Sequence, residues 1–244
     1  MTGTATTPTI VIVHGAWTDA SSFTGVQHLL TEQGYQVLEF ANPLRSFVGD
    51  ADYLATFLKT RTSGPVVLVG HSYGGAVIGA AAAATDTVTG LVYVNAFVPA
   101  EGESLLDLLN SAGPVDPSKL FDMAPYPGAP EGDLDLYIQR GPFEPAFATG
   151  LSEELQAEFF AKQRPITFSA VGAPAAAGQA WEKLPSWYVA GTVDGSVPLP
   201  LQLRMAERAG STVTQVETGH LSMVTHPREV ADVIIAAATS GDVA

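Results

Sequence analysis

The stretch VVLVGHSYGG, residues 66–75, constrains this chain more than any other. Val66 to Val69 are four consecutive apolar, mostly β-branched residues, the character of a strand buried on both faces. Three glycines then crowd around Ser72, and Ala76 opens an alanine-rich run of helical composition. Strand, Gly-x-Ser-x-Gly, helix is the turn that lifts a serine hydroxyl above the end of a sheet. It holds the serine in a strained backbone conformation. Gly70 and Gly74 serve as its small neighbours, because side chains there would collide with the adjoining strand and helix. The N–H of Tyr73 then lies at a helix N-terminus, where unpaired donors and the positive dipole end favour an oxyanion.

The rest of the chain supplies a sheet for this turn. Thr9–Val13, Val37–Phe40, Leu91–Val94, Trp187–Ala190 and Val213–Val216 read as further strands. Between them, 21–33, 51–61, 73–84, 201–209 and 228–238 have helical spacing. Strand–helix alternation predicts an α/β fold: a mainly parallel sheet of about six strands, helices on both faces and right-handed crossovers. At 244 residues, 46% hydrophobic and only 15% charged, the chain can bury a large single core and is not disordered. No internal repeat is present.

One region breaks the rhythm. Residues 99–185 carry eleven of the 17 prolines, and MAPYPGAPEGD (123–133) cannot form a regular helix. Within this region 101–110 and 152–164 still read as helical. A long insertion between two strands reads as a small lid over one end of the sheet, with 1–98 and 186–244 forming the core of the same domain. Its apolar residues, among them Phe121, Met123, Tyr126, Phe143 and Phe147, argue for packing rather than a free loop.

A serine is a weak nucleophile without a base, and the base needs an orienting acid. The turn around Ser72 predicts the chain order Ser, acid, His, each on a loop after a later strand. SWYVAGTVDGSVP (186–198) ends a strand and presents Asp194; VTQVETGHLSMVTHP (213–227) ends the last strand and presents His220. His226 is the rival base, but beside Pro227 at a helix start it reads as a capping or surface group. Glu217, at the end of the same strand as His220, is poorly placed to reach its ring. TIVIVHGAW (9–17) runs another buried strand into a His-Gly turn and predicts Ala16, with Trp17 adjacent, as the second oxyanion donor. His14 and His71 read as structural, with His71 pointing away from the site.

Composition excludes several function classes. Net charge is −14, with no Lys/Arg runs, which argues against nucleic acid and anionic membrane as partners. The absence of cysteine removes disulfides, thiolate metal sites and a cysteine nucleophile together. No segment approaches about 20 apolar residues, and no signal-peptide pattern opens the chain, so a cytoplasmic monomer or homodimer is expected.

VHGAW, GHSYGG, VDGSVP and GHLSMVTHP stand in the order of the α/β-hydrolase superfamily, and the resemblance spans nearly the full chain. Within it the chain is similar to the small cofactor-independent esterases that include plant methylesterases and hydroxynitrile lyases. The resemblance implies a serine hydrolase with no cofactor or metal. Its substrate is expected to be a small neutral ester or lactone, because no Arg or Lys stands within these motifs to hold a carboxylate or phosphate. Trp17 and Phe97 beside the site motifs, with Phe121, Tyr126 and Phe143 from the lid, are the expected substrate-binding residues. Hydroxynitrile lyases of that branch carry Lys after the catalytic His and Thr near the first oxyanion turn; here Leu221 follows His220, and Gly15-Ala16 follow His14. Cofactor-free oxygenase chemistry and a receptor-like binding role remain the alternatives on this fold.

Overall fold

The computed structural model describes residues 7–240; residues 1–6 and 241–244, which begin and end the expected core, lie outside the described residues. β1 (Thr9–Val13), α1 (Thr24–Glu32), β2 (Val37–Phe40), α2 (Phe47–Arg61), β3 (Val66–His71), α3 (Tyr73–Ala82) and β4 (Val88–Val94) alternate as expected. The chain then leaves the sheet and returns as β8 (Ser186–Gly191), the helix Leu199–Arg208, β9 (Thr212–Val216) and the helix Pro227–Thr239. These six strands form one parallel sheet in the order β2-β1-β3-β4-β8-β9. One apolar cluster fills the face under α2, α3 and Leu199–Arg208; a second fills the face under α1 and Pro227–Thr239. Coverage of both faces explains why β1 and β3 are apolar without alternation.

The strand order reverses between β1 and β3: the chain runs outward to β2, then crosses back. A crevice opens at such a reversal, beyond the carboxyl ends of the strands. The His14-Gly15 turn leaves β1 there, and Ser72 leaves β3 beside it. Ser72 has φ +51° and ψ −122°, outside the regions open to most L-residues. Its N–H donates to Val94 O at 3.2 Å and its carbonyl accepts from Phe97 N at 3.1 Å, so β4 and its exit loop hold the turn on one side. On the other, a Cβ on Gly74 would lie 2.3 Å from Val13 O, and one on Gly70 would lie 2.6 Å from Gly74 O. Both glycines are therefore required by close approach of backbone to backbone.

Between β4 and β8 lie α4 (Leu105–Ala112), the helix Glu153–Ala161 and a second, antiparallel sheet of β5 (Phe121–Ala124), β6 (Asp135–Ile138) and β7 (Ile166–Thr167). The sequence reading contained no strand here. β5 is four residues long and β7 two, too short to show a period, and prolines flank them. α4 begins at Leu105 rather than Glu101 because Ser104 caps it in a reciprocal box with Asp107. Of the aromatic and apolar residues expected to pack, Phe143, Phe147 and Phe159 are buried, while Met123 is exposed on the outer side of β5.

The glycine contacts carry a stability prediction. Gly74→Ala drives a methyl into Val13 O and should destabilise by about 1–3 kcal/mol or more. Gly113→Ala, in extended backbone with open space around the added carbon, should stay within about 0.5 kcal/mol of the parent. Urea unfolding of the two variants checks the contrast, and equal midpoints would contradict it.

Candidate active site

The sequence-predicted residues Ser72, Asp194 and His220 are brought together at the carboxyl edge of the sheet. Asp194 follows β8 and His220 follows β9, two loops that lie side by side because their strands are neighbours. His220 Nδ1 lies 2.9 Å from Asp194 Oδ2, and both side chains are buried. A carboxylate oxygen only accepts, so Nδ1 carries the proton and Nε2 presents its lone pair. Nε2 is buried and has no hydrogen-bond partner, and His220 and Ser72 line the same cavity. An unpartnered basic nitrogen facing the space above a serine hydroxyl is positioned to receive that hydroxyl's proton.

Asp194 is held on all sides. Oδ1 accepts from the N–H groups of Ser196 and Val197 at 2.8 and 2.9 Å. Oδ2 accepts from His220, from Asn95 Nδ2 at 2.9 Å and from Gln202 Nε2 at 3.2 Å. Sequence reasoning missed Asn95 and Gln202. The available signal was a polar residue in each apolar context: Asn95 at the end of the buried run of β4, Gln202 on the buried face beside Leu201 and Met205. The rivals are elsewhere. Glu217 is exposed, and His226 joins two helices with its Nδ1 3.0 Å from Thr225 Oγ1.

Ala16 and Tyr73 provide the two amides. Among the described residues neither N–H has an acceptor, whereas the Trp17 N–H donates to Arg164 O at 2.9 Å. Trp17 is thereby committed to the insertion, and Ala16 is the free donor of the first turn. A Cβ on Gly15 would lie 2.7 Å from Ser72 Cβ, which places that turn directly against the serine. The Tyr73 phenol donates to Asp50 Oδ2 at 2.8 Å. Burial raises the Asp50 carboxyl above its ordinary range, against the hydrogen bonds it accepts.

The cavity holds about 290 Å³. Ala16, Trp17, Tyr73 and Phe97 of the core line it, with Leu105, Leu106 and Leu109 of α4 opposite. Phe121, Leu136, Ile138 and Ile166 add the second sheet. No Asp, Glu, Lys or Arg contributes to the wall. Two expected pocket residues are absent from it. Tyr126 donates its phenol to Asp133 Oδ2 at 2.7 Å and lies under the Arg45 guanidinium, outside the second sheet. Phe143 is buried against Phe147 and Phe160, in the layer behind the wall. Phe147 packs its ring 5.4 Å from that of His220.

The insertion rests on the acid and base loops themselves. Ser196 Oγ donates to Ala146 O at 2.7 Å. A Cβ on Gly195 would lie 2.3 Å from Pro145 O, and one on Gly219 would lie 2.6 Å from Thr149 O. Trp17 adds a third attachment, stacking on Phe121 at 5.4 Å and donating Nε1 to Leu136 O at 2.8 Å. Among the described residues no group of three or more His, Cys, Asp and Glu stands where it would hold a metal. No helix among them is long and apolar enough to cross a membrane.

Residues 10–233 match the model of the alpha/beta hydrolase family. The chain belongs to that family. Over 247 residues, covering 90% of this chain and 92% of the relative, it is 26% identical to the alpha/beta hydrolase nvfD of Aspergillus novofumigatus (strain IBT 16806). It is 34% identical over 126 residues to a carbendazim hydrolyzing esterase of Nocardioides sp. (strain SG-4G), a match spanning 46% of this chain and 51% of that protein. Crystalline polyneuridine aldehyde esterase superposes with a TM-score of 0.79 at 21% identity, covering 95% of this chain and 99% of the other. The six-stranded α/β-hydrolase fold expected from the sequence is thus met, and this hydrolase is an enzyme.

The other two histidines of the site region support it in neutral form. His14 donates Nδ1–H to Gly15 O at 2.9 Å, and its Nε2 accepts from the Asn42 N–H at 3.1 Å. His71 does not point away from the machinery. Alternation along β3 puts it on the face of Val67 and Val69, where it donates Nε2–H to His220 O at 3.0 Å behind the base. Burial lowers the His14 pKa to about 4 and that of His71 well below the ordinary value. With the folded-state value depressed, the unfolded chain binds more protons between pH 6.5 and 4, so stability falls as pH falls through that window. Each such group contributes a slope of up to about 1.4 kcal/mol per pH unit. The urea midpoint should drop from pH 7 to pH 5, and less steeply in His14→Gln. An unchanged slope in that variant would refute the assignment.

Proposed function

We propose that the protein is a serine esterase that cleaves a neutral, apolar carboxylic ester or lactone. Ser72, His220 and Asp194 act as nucleophile, base and acid, with the Ala16 and Tyr73 amides as oxyanion donors. The observation that carries this reading is the His220 imidazole: one nitrogen is fixed on Asp194, the other faces the cavity it shares with Ser72. Ser72 Oγ attacks the carbonyl carbon as its proton passes to His220 Nε2, and the two amides bind the resulting oxyanion. Collapse breaks the bond to the alkoxy oxygen, which leaves with the proton from Nε2. Water, deprotonated by the same nitrogen, then releases the acid and restores Ser72.

The wall supports an uncharged substrate. Among the described residues no Asp, Glu, Lys or Arg lines this cavity, so a carboxylate or ammonium would enter without a charged partner at a steep desolvation cost. Segment 99–185 acts as the lid that sets substrate size. The names of two relatives, both esterases, fit ester hydrolysis. Cyanohydrin cleavage is disfavoured because Leu221 is buried where a cationic helper is needed, and the Thr18 hydroxyl is spent on Gly15 O at 3.2 Å.

Ser72→Ala should lower kcat by ~10⁶-fold and abolish labelling by a fluorophosphonate, and Asp194→Asn should cost ~10⁴-fold. Full activity in Ser72→Ala, or labelling at another serine, would overturn the mechanism. On p-nitrophenyl esters of increasing chain length, Phe121→Ala and Leu109→Ala should shift preference by about 10- to 200-fold while sparing the acetate. Tyr126→Phe, outside the wall, should leave the profile unchanged. A binding protein with an intact triad would hydrolyse none of the series.

A further inference from the structure

Asn95 has no part in the bond-making just described, yet it touches both the Asp194 loop and the His220 loop. It stands one residue beyond β4, fully buried, and its N–H donates to Val189 O of β8 at 3.0 Å. Its φ is +47°, a left-handed conformation that asparagine tolerates better than most residues. Nδ2 donates to Asp194 Oδ2 at 2.9 Å and to Gly219 O at 3.2 Å, on the acid loop and beside the base. Oδ1 accepts from Ser222 Oγ at 2.5 Å, two residues beyond His220. The amide orientation is unambiguous, since the reverse would set its oxygen against a carboxylate and a carbonyl.

We propose that Asn95 is a positioning residue: its single amide locks the Asp194 loop and the His220 loop into one rigid unit, with Ser222 acting through it. The inference rests on the triad reading above. The Asp194–His220 hydrogen bond sets a distance at the tips of the two loops, and backbone bonds such as Val193 N–H to Thr218 O at 3.2 Å tie only the stretches ahead of them. Asn95 adds a side-chain tie between the loops by reaching Asp194 and Gly219 at once, while the His71 bond to His220 O fixes the His220 loop to β3. The set needs two donors and one acceptor in a plane at this reach. Asp lacks the donors and Leu lacks both kinds of group. Gly191 fits the same demand, because a Cβ there would lie 2.3 Å from Asn95 Nδ2. Space is therefore kept open for this amide by a residue on the neighbouring strand.

The test is a kinetic double-mutant cycle with Asn95→Ala and Ser222→Ala, read on a p-nitrophenyl acetate and checked for folding by near-UV circular dichroism. A displacement of about 1 Å at the reacting groups costs about 10²-fold. Asn95→Ala should therefore lose about 10²-fold in kcat with KM within about threefold of the parent. Ser222→Ala should lose several-fold in kcat alone, and nothing further in the Asn95→Ala background, since its effect passes through the amide. The isosteric Asn95→Asp sets a carboxylate against Asp194 and should lose at least as much as Asn95→Ala. The low-field proton resonance of His220 Nδ1–H should move in each Asn95 variant, which a purely packing role would not require. A folded Asn95 variant with kcat within threefold of the parent refutes the proposal, as does an equal Ser222→Ala loss in both backgrounds. If neither Asn95 variant folds, Ser222→Ala decides: an unchanged kcat refutes, a selective kcat loss supports. Ser72→Ala separates the two levels: if it stays active the triad reading fails, and if it is dead while Asn95 variants are fully active only this proposal fails.

Discussion

Everything in this molecule is arranged around a serine that cannot relax. At φ +51° and ψ −122° Ser72 occupies backbone space that costs of order ~1–3 kcal/mol and persists only where its surroundings dictate it. Those surroundings are the end of β1, the exit of β4 and the first turn of α3, which approach too closely for any Cβ at Gly70 or Gly74. The parallel sheet is what makes the approach possible. Reversal of strand order between β1 and β3 brings two turns into one crevice, and the same crevice collects the Ser72 hydroxyl and two free amides.

Asp194 and His220 reach that crevice by neighbouring strands, β8 and β9, rather than by local sequence. Their chemistry depends on satisfaction of buried polar groups. Asp194 accepts five hydrogen bonds, so a carboxylate sits in a nearly dry site without a cationic partner. His220, by contrast, is left deliberately short by one. Its unpartnered Nε2 is a cost to folding, and in the proposed mechanism it is the atom that accepts the Ser72 proton.

The insertion joins the wall of the cavity to the loops of Asp194 and His220. Pro145, Ala146 and Thr149 seat their backbone on Gly195, Ser196 and Gly219, while Trp17 ties the first oxyanion turn to Phe121 and Leu136. The segment that shapes the apolar cavity is thus in van der Waals contact with the loops of acid and base. A change of lid sequence that moved residues 145–149 would reach the reacting groups as well as the pocket.

The sequence by itself determined the sheet, the turn around Ser72 and the order of the three side chains at the strand tips. Each leaves a local signature: continuous apolar runs for doubly covered strands, glycines wherever backbone meets backbone, polar residues where a strand stops. Only the tertiary structure decided that Asn95 and Gln202 hold Asp194, that His71 backs the base, that Trp17 spends its amide on Arg164, and that Phe121 rather than Tyr126 or Phe143 faces the cavity. The second sheet belongs with these, its strands too short to carry a period. The physical reason is the same throughout. Asn95 and Asp194 stand 99 residues apart, and the direction of a side chain between such partners is set by packing and hydrogen bonding that no local pattern records.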